Sequence, residues 1–525
     1  MKKTLLVSLA AATLLISDAS AATMYDRFEA MEKEMNKLKA ELADLKAKEA
    51  NSEKAAMQKD DAEEDDSEDK PMASKASSDD EEDDDEPTVE EKISDMQDSI
   101  DNLNRRTGGN HLKFTADLRT AVENLQYKMA DGSKNENDAL LTNRLWIGTN
   151  WAATDNISFT AQLAYNKTYG ARSGASTNNS YENFDWITNE NAYDDTLRVR
   201  SAYFFYRNNT FLGTDIPWTF SLGRRPSTNG HLVNFRDDDP AASPMGHTIN
   251  VEFDGLSSKF SLEKVTGVSG MYVKFCAGRG MTNAAPKFSA APYASNAQEI
   301  SNIDLAGLIF VPYDNGQYKI GTQFYYANNL IDEVNASNPS AGMKTVGGLY
   351  SGTVNFVANG IGDGISDFLD DTIFFVSGAW SQTNPNGGKY MLGSKDSEAG
   401  YSGWVGIRIP SLISESGKWG FEYNYGSKYW RSMTYGEDTN IGSKLAARGN
   451  AYEAYFTEPL IDNILTLQLR YTYIDYEYSG SNGFFGEQTG TPMKISDTMM
   501  VNGNNIANSV VKNAQDIRFY LRYRY

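Results

Sequence analysis

The chain has 525 residues, with 30 tyrosines, 43 glycines, one cysteine and a formal net charge of −22. A single cysteine excludes disulfides within the chain, and no stretch beyond the N-terminal segment reaches about 18 uninterrupted apolar residues, so membrane-spanning helices are not expected. The charge is lopsided: residues 1–110 hold 30 acidic and 15 basic side chains, a net of −15, which leaves −7 for the rest and no basic stripe of the kind nucleic-acid phosphates need.

Residues 1–21 read as a secretory signal, with Lys2 and Lys3 ahead of an apolar run from Leu5 to Ile16 and an Ala19-Ser20-Ala21 cleavage site. The mature chain is then expected to start near Ala22, without a lipid-bearing cysteine. Residues 22–50 carry a heptad seam, Met24, Phe28, Met31, Met35, Leu38, Leu42 and Leu45, at alternating spacings of four and three. A helix of that span is about 33 Å long and cannot bury its stripe alone, so it predicts self-association, with a homotrimer as the expected state. Residues 51–87 form an acidic linker, with sixteen Asp and Glu between Asp60 and Glu86, too self-repelling to fold. Divalent cations would meet no fixed geometry there. A second seam at 88–106 runs Val89, Ile93, Met96, Ile100 and Leu103; it fits a coiled coil or an amphipathic helix lying on another surface.

From 111 to 525 the pattern changes to a period of two. Leu112, Phe114, Ala116 and Leu118 alternate with Lys113, Thr115, Asp117 and Arg119, and Ile157 to Asn166 repeats the scheme. Short links such as Thr154-Asp155-Asn156 and Asp314-Asn315-Gly316 carry turn chemistry, while long polar links fall near 168–195, 226–246, 279–303, 383–400, 431–448 and 479–513. The last stretch sets Ile517, Phe519, Leu521, Tyr523 and Tyr525 against Asp516, Arg518, Tyr520, Arg522 and Arg524, and it closes on an aromatic as barrel targeting signals do. These features predict an all-β fold, a transmembrane antiparallel barrel preceded by the helical leader. Counts from the two ends collide between His247 and Glu263. One continuous strand there gives sixteen strands in all; a hairpin gives eighteen.

Strand parity turns Arg119, Arg144, Arg198, Arg200, Arg225, Arg408, Arg470, Arg518 and Arg522 toward the lumen, with Lys113, Lys274, Lys319 and Arg524. Asp117, Glu252, Glu422 and Asp516 oppose them. Such a lining would favour anions, unless loop carboxylates fold in and pair with it. The segment GRRPSTNGH (Gly223–His231) breaks the alternation and leads to Asp237, Asp238 and Asp239. Arg224 and these three aspartates are candidates for a loop that constricts the lumen or caps its rim. The histidines His231 and His247 flank that loop with Ser227 and Ser243, a composition open to outer-membrane hydrolase chemistry but better explained by an ordinary polar loop. No catalytic residue, metal set or cofactor motif is assigned.

The stretches GRRPSTNGH, SPMGHTINVEFDG (Ser243–Gly255) and YSGSNGFFG (Tyr478–Gly486) resemble a family of bacterial outer-membrane barrels of unknown function described as porin-like. The resemblance implies an outer-membrane barrel and supplies no substrate. The leader separately resembles the periplasmic stalks of trimeric porins that reach toward the cell wall. The expected function is passive diffusion of small hydrophilic solutes across the outer membrane, with lipid and further copies of the chain as partners. The alternative is a structural anchor tethering the envelope through the leader.

Overall fold

The computed structural model describes residues 112–170, 196–227, 230–286, 294–296, 301–333, 343–362, 364–434, 436–462, 464–480, 491–498 and 506–525. The expected signal peptide, both heptad seams, including Phe28, Met31, Met35, Leu38, Leu42 and Leu45, and the acidic linker lie outside the described residues.

Sixteen antiparallel strands form one closed barrel. The first five are β1 (Lys113–Met129), β2 (Lys134–Ala152), β3 (Ile157–Thr168), β4 (Arg198–Asn208) and β5 (Trp218–Ser227). Then come β6 (Ile249–Ser261), β7 (Tyr272–Met281), β8 (Ile303–Asp314), β9 (Tyr318–Glu333), β10 (Met343–Asn359) and β11 (Ile373–Pro385). The last five are β12 (Ala399–Pro410), β13 (Lys418–Gly426), β14 (Gly449–Ile461), β15 (Leu465–Tyr476) and β16 (Val511–Arg524). Each strand pairs with the next in sequence, and β16 returns to β1 with Asp117 opposite Arg524 and Arg119 opposite Arg522. The region where the two counts collide is the single strand β6, which settles the number at sixteen.

The alternation in the sequence becomes the two sides of the wall because side chains on a strand point to opposite faces. On β16, Phe519 is 38% exposed and its neighbour Arg518 1%. Ile517 faces outward on the same strand, as do Phe114, Phe159, Phe324 and Val354 on others. Aromatics band the outside near both ends, as expected where a wall meets lipid headgroups. Trp218 stacks on Phe260 and Trp419 tilts against Phe456 near the turn end, while Tyr423, Tyr452 and Tyr473 cluster nearer the other.

The tight links follow their local chemistry. Asn315 Oδ1 accepts hydrogen bonds from the backbone N–H groups of Gln317 and Tyr318, closing the β8–β9 turn. Gly316 takes φ 92°, a conformation a side chain would strain. One expected feature differs. The first loop-end link is only residues 130–133, because β1 and β2 are 17 and 19 residues long and themselves supply the height that loops supply elsewhere.

Two connections run inside the barrel: loop 228–248 between β5 and β6, described over residues 230–248, and loop 427–448 between β13 and β14, described over residues 427–434 and 436–448. Their apolar side chains bury against the wall. Leu232, Val233 and Leu445 join Val357, Ile373, Phe375 and Trp404 in one cluster. Ile441 and Ala447 join a second with Leu125, Ile474 and Ala514. Leu232 and Leu445 are completely buried, and the gain of about 1.5–3 kcal/mol for each large aliphatic side chain favours the seated over the extended loop. Glycine makes room for this. A Cβ on Gly426 would lie 1.9 Å from the Ala447 carbonyl oxygen, so the second loop rests directly on the backbone of β13.

Candidate functional site: a lumen partly closed by its own loops

Loop 228–248 crosses the lumen behind its short helical turn Val233–Phe235 and delivers three consecutive carboxylates to the far wall. Asp237 accepts a hydrogen bond from the Tyr520 hydroxyl at 2.8 Å. Asp238 pairs with Arg408 at 2.6 Å and Lys418 at 3.0 Å. Asp239 pairs with Arg522 at 2.9 Å and Arg524 at 3.1 Å. Arg236, fully buried between them, donates to the Glu437 carbonyl of the other loop and lies 3.6 Å from Glu453 on β14. The two loops are therefore latched to each other as well as to the wall.

Loop 427–448 makes the matching contacts on β1 and β2. Asp438 binds Arg119 through both carboxylate oxygens and Arg144 at 2.6 Å, and its carbonyl accepts from Arg518 at 2.6 Å. Burial opposes ionisation of Asp438, yet Arg119 and Arg144 hold its carboxyl well below the usual range. Lys444 of the same loop reaches Glu422 at 2.6 Å and also pairs with Glu453. Trp404 donates its indole N–H to Glu422 at 2.9 Å.

The remaining predicted arginines distribute as follows. Arg144 also meets Asp117 at 3.0 Å, and Arg522 meets it at 2.6 Å. Arg518 pairs with Glu123 at 3.0 Å, and Arg200 with Glu252 at 3.0 Å while lying over the Trp146 ring. Arg470 is buried on β15 and makes no ion pair among the described residues. Arg198 sits half-buried at the start of β4. Arg224 needs correction as a loop residue. β5 continues to Ser227, so Arg224 is a strand residue, donating to the Val199 carbonyl at 2.8 Å and to Glu252 at 3.3 Å. Most of the cationic lining is thus neutralised by carboxylates.

Besides Arg470, three further cations are not. Arg225, Lys259 and Lys274, on β5, β6 and β7, make no ion pair among the described residues. Arg225 donates to the Ser221 hydroxyl and stacks 4.3 Å from the Tyr203 ring centroid. Lys259 lies 4.1 Å from the Tyr272 ring, and Lys274 donates to the Ser243 hydroxyl at 2.6 Å. They share one arc of wall in which Thr160, Gln162, Tyr203 and Thr219 remain half-buried, whereas the inward positions of β10 through β16 are almost all buried. Whatever open lumen remains therefore borders β3 to β7.

The two described histidines are packing residues. His247 is fully buried, its ring nitrogens 2.8 Å from Ser377 Oγ and 2.9 Å from Ser402 Oγ, between Trp404 and Trp430. Burial pushes it down to about 3, and does the same to His231, where the Lys319 charge adds to the effect.

Sequence reasoning missed Arg236, Glu437, Asp438 and Lys444, and the inward acids Glu123 and Glu453. A signal existed for the second loop: Ile441, Leu445, Ala446 and Ala447 are too apolar for a link bathed in water.

A membrane-spanning β-barrel with its own loops seated in the lumen is the class this fold and site define. Residues 134–525 match the family model described as Protein of unknown function (DUF3373), and the chain belongs to that family. No curated protein matches the sequence. Among solved structures, the chain is similar to an anion-selective porin from Comamonas acidovorans, at 9% identity and TM-score 0.44, with 79% of this chain and all of that one covered (100%). It is also similar to OmpT of Vibrio cholerae in a trimer form, at 13% identity and TM-score 0.42, with coverage of 79% and 100%. Pseudomonas putida OprB matches at 12% identity and TM-score 0.43, with coverage of 83% and 96%. At such identities, what those proteins do remains a property of theirs.

Proposed function

We propose that the protein is a passive diffusion channel of the outer membrane for small hydrophilic solutes, with anions favoured. The observation that carries this reading is the uncompensated set Arg225, Lys259 and Lys274 on the one arc of wall that the loops leave partly exposed. Cations lining a narrow, low-dielectric passage raise the local concentration of anions. The arginines bound to loop carboxylates contribute structure and no net field. No bond is made or broken in this reading: among the described residues, His247 is the one histidine hydrogen-bonded to serines, and it is closed to any substrate. Purified protein in planar bilayers under a salt gradient is expected to give a reversal potential of the anion-selective sign. The preference should shrink at high salt, where the screening length falls to about 3 Å at 1 M. Cation selectivity, or no current at all, rejects the proposal.

The heptad leader supports a further part of the reading, a trimer stalked into the periplasm toward the cell wall. Deleting residues 22–86 is expected to preserve conductance while the oligomer on mild-detergent gels falls to monomer. An unchanged oligomer removes the stalk from the assembly.

A further inference from the structure

We infer that the cavity between loop residues Ser243-Pro244 and the inner wall of β6 to β9 is a binding site for a small carboxylate carrying an apolar or aromatic tail. The inference deepens the channel reading and rests on it for the route by which such a solute arrives.

The cavity is small, about 40 Å³ of accessible volume, and it is open on one side; that exceeds the roughly 10–15 Å³ one water needs, so a ligand seats its charged head inside and lays its tail across the open side. Its two ends differ in chemistry. Arg225 and Lys274 supply positive charge at one end, with Ser243 and Ser257 beside them. Ile249, Phe253, Leu305, Ile309 and Tyr325 supply apolar surface over the rest. Elsewhere in this lumen a buried or half-buried cation is typically matched to a carboxylate of the chain itself. Here Arg225 and Lys274 are served by the neutral hydroxyls of Ser221 and Ser243. A carboxylate arriving between them replaces neutral acceptors with a charged one, adding an ion pair to the hydrogen bonds, and the Arg225 guanidinium can meet it with two parallel N–H donors. A tail extending from it would cover the apolar lining still exposed at the open side, gaining about 25 cal/mol for each Å² taken from water. An inorganic anion would use only the charged end and leave the apolar wall wet. A tailed monocarboxylate uses both.

Cys276 lines the same cavity and is the only cysteine of the chain, which gives a direct reporter. The experiment takes the full-length protein in detergent micelles and measures the rate at which a small neutral thiol reagent modifies Cys276, with benzoate as the probe. Benzoate is expected to slow modification at least tenfold and saturably, while benzyl alcohol and inorganic phosphate at equal concentration leave the rate within twofold. Arg225→Gln and Lys274→Gln should each weaken protection several-fold and together abolish it, with heat-modifiable gel mobility verifying that the barrels are folded. Isothermal titration of benzoate into wild type and the double variant decides the matter if Cys276 reacts too slowly to follow. Absence of saturable benzoate binding in folded wild type overturns the site, as does binding that survives in the double variant. Equal protection by phosphate overturns the role given to the apolar wall. Because these measurements need no current, binding without conductance would reject the channel and keep the site, and anion-selective current without binding would do the reverse.

Discussion

Replacing Asp438 by asparagine is expected to raise single-channel conductance several-fold, by unseating loop 427–448. The carboxylate is the ion-pair partner of Arg119 and is shared with Arg144 at 2.6 Å. All three groups are buried. Removing one member of a buried pair strands the other charge and costs about 3–5 kcal/mol. Since about 1.4 kcal/mol is a tenfold change in an equilibrium constant, the population of the released loop should rise by about two to three and a half orders of magnitude. Arg144 keeps Asp117, whereas Arg119 makes no second ion pair among the described residues, so the strain falls on β1 and the loop together. Asp215→Asn is the control: its pair with Lys264 lies at the turn end with side chains 66% and 53% exposed, where an ion pair contributes about 0–1 kcal/mol. Equal, wild-type conductance in both variants would show that the loop is not held by its charges.

Acidification from pH 7 to pH 5 is expected to loosen loop 228–248. His231 and His247 are both held at about 3 by burial, against about 6.5 in an exposed chain. The seated loop therefore stays unprotonated over a range in which a released loop takes up protons. Stability rises with pH wherever the released state binds more protons, so the seat weakens as pH falls from about 6.5 toward 3. At pH 5 the shift amounts to about 2 kcal/mol for each histidine. Asp238, whose burial is outweighed by Arg408 and Lys418, lies below its ordinary value, so its hold is lost only in stronger acid. Asp239 works in the opposite direction: burial raises it, though Arg522 resists, so the seated loop gains a proton there first. Conductance recorded from pH 7.5 to 5 should climb in the wild type and stay flat in a His231→Gln, His247→Gln double variant. A flat wild-type profile contradicts the account.

The barrel was legible because its signal is local. Phe519 and Arg518 declare opposite faces from adjacent positions, and Asn315 with Gly316 declares a turn within three residues. Even the strand count was limited by one segment alone, Ile249–Ser261, which could be read as a strand or a hairpin until its pairing with β5 and β7 was seen. The interior was not legible in the same way. Arg119 and Asp438 are 319 positions apart, and no periodicity links them. Asp237 to Asp239 stood out as a charge run, but a run on a loop reads identically whether it caps a rim or crosses a lumen. Arg224 was grouped with the loop because GRRPSTNGH breaks the alternation, although a proline near the end of a strand costs the ladder only one donor.

The seam between β1 and β16 joins segments that stand almost as far apart as the barrel portion of the chain allows. The contacts that close the ring, such as Leu118 opposite Tyr523 and Ala121 opposite Tyr520, cannot form until every intervening strand has been made and delivered. Such long-range pairing makes assembly slow and leaves unpaired strand edges exposed meanwhile. Ring closure therefore becomes a completeness check: a copy cut short within β16 would keep an open edge and lack the sealed wall that lipid requires.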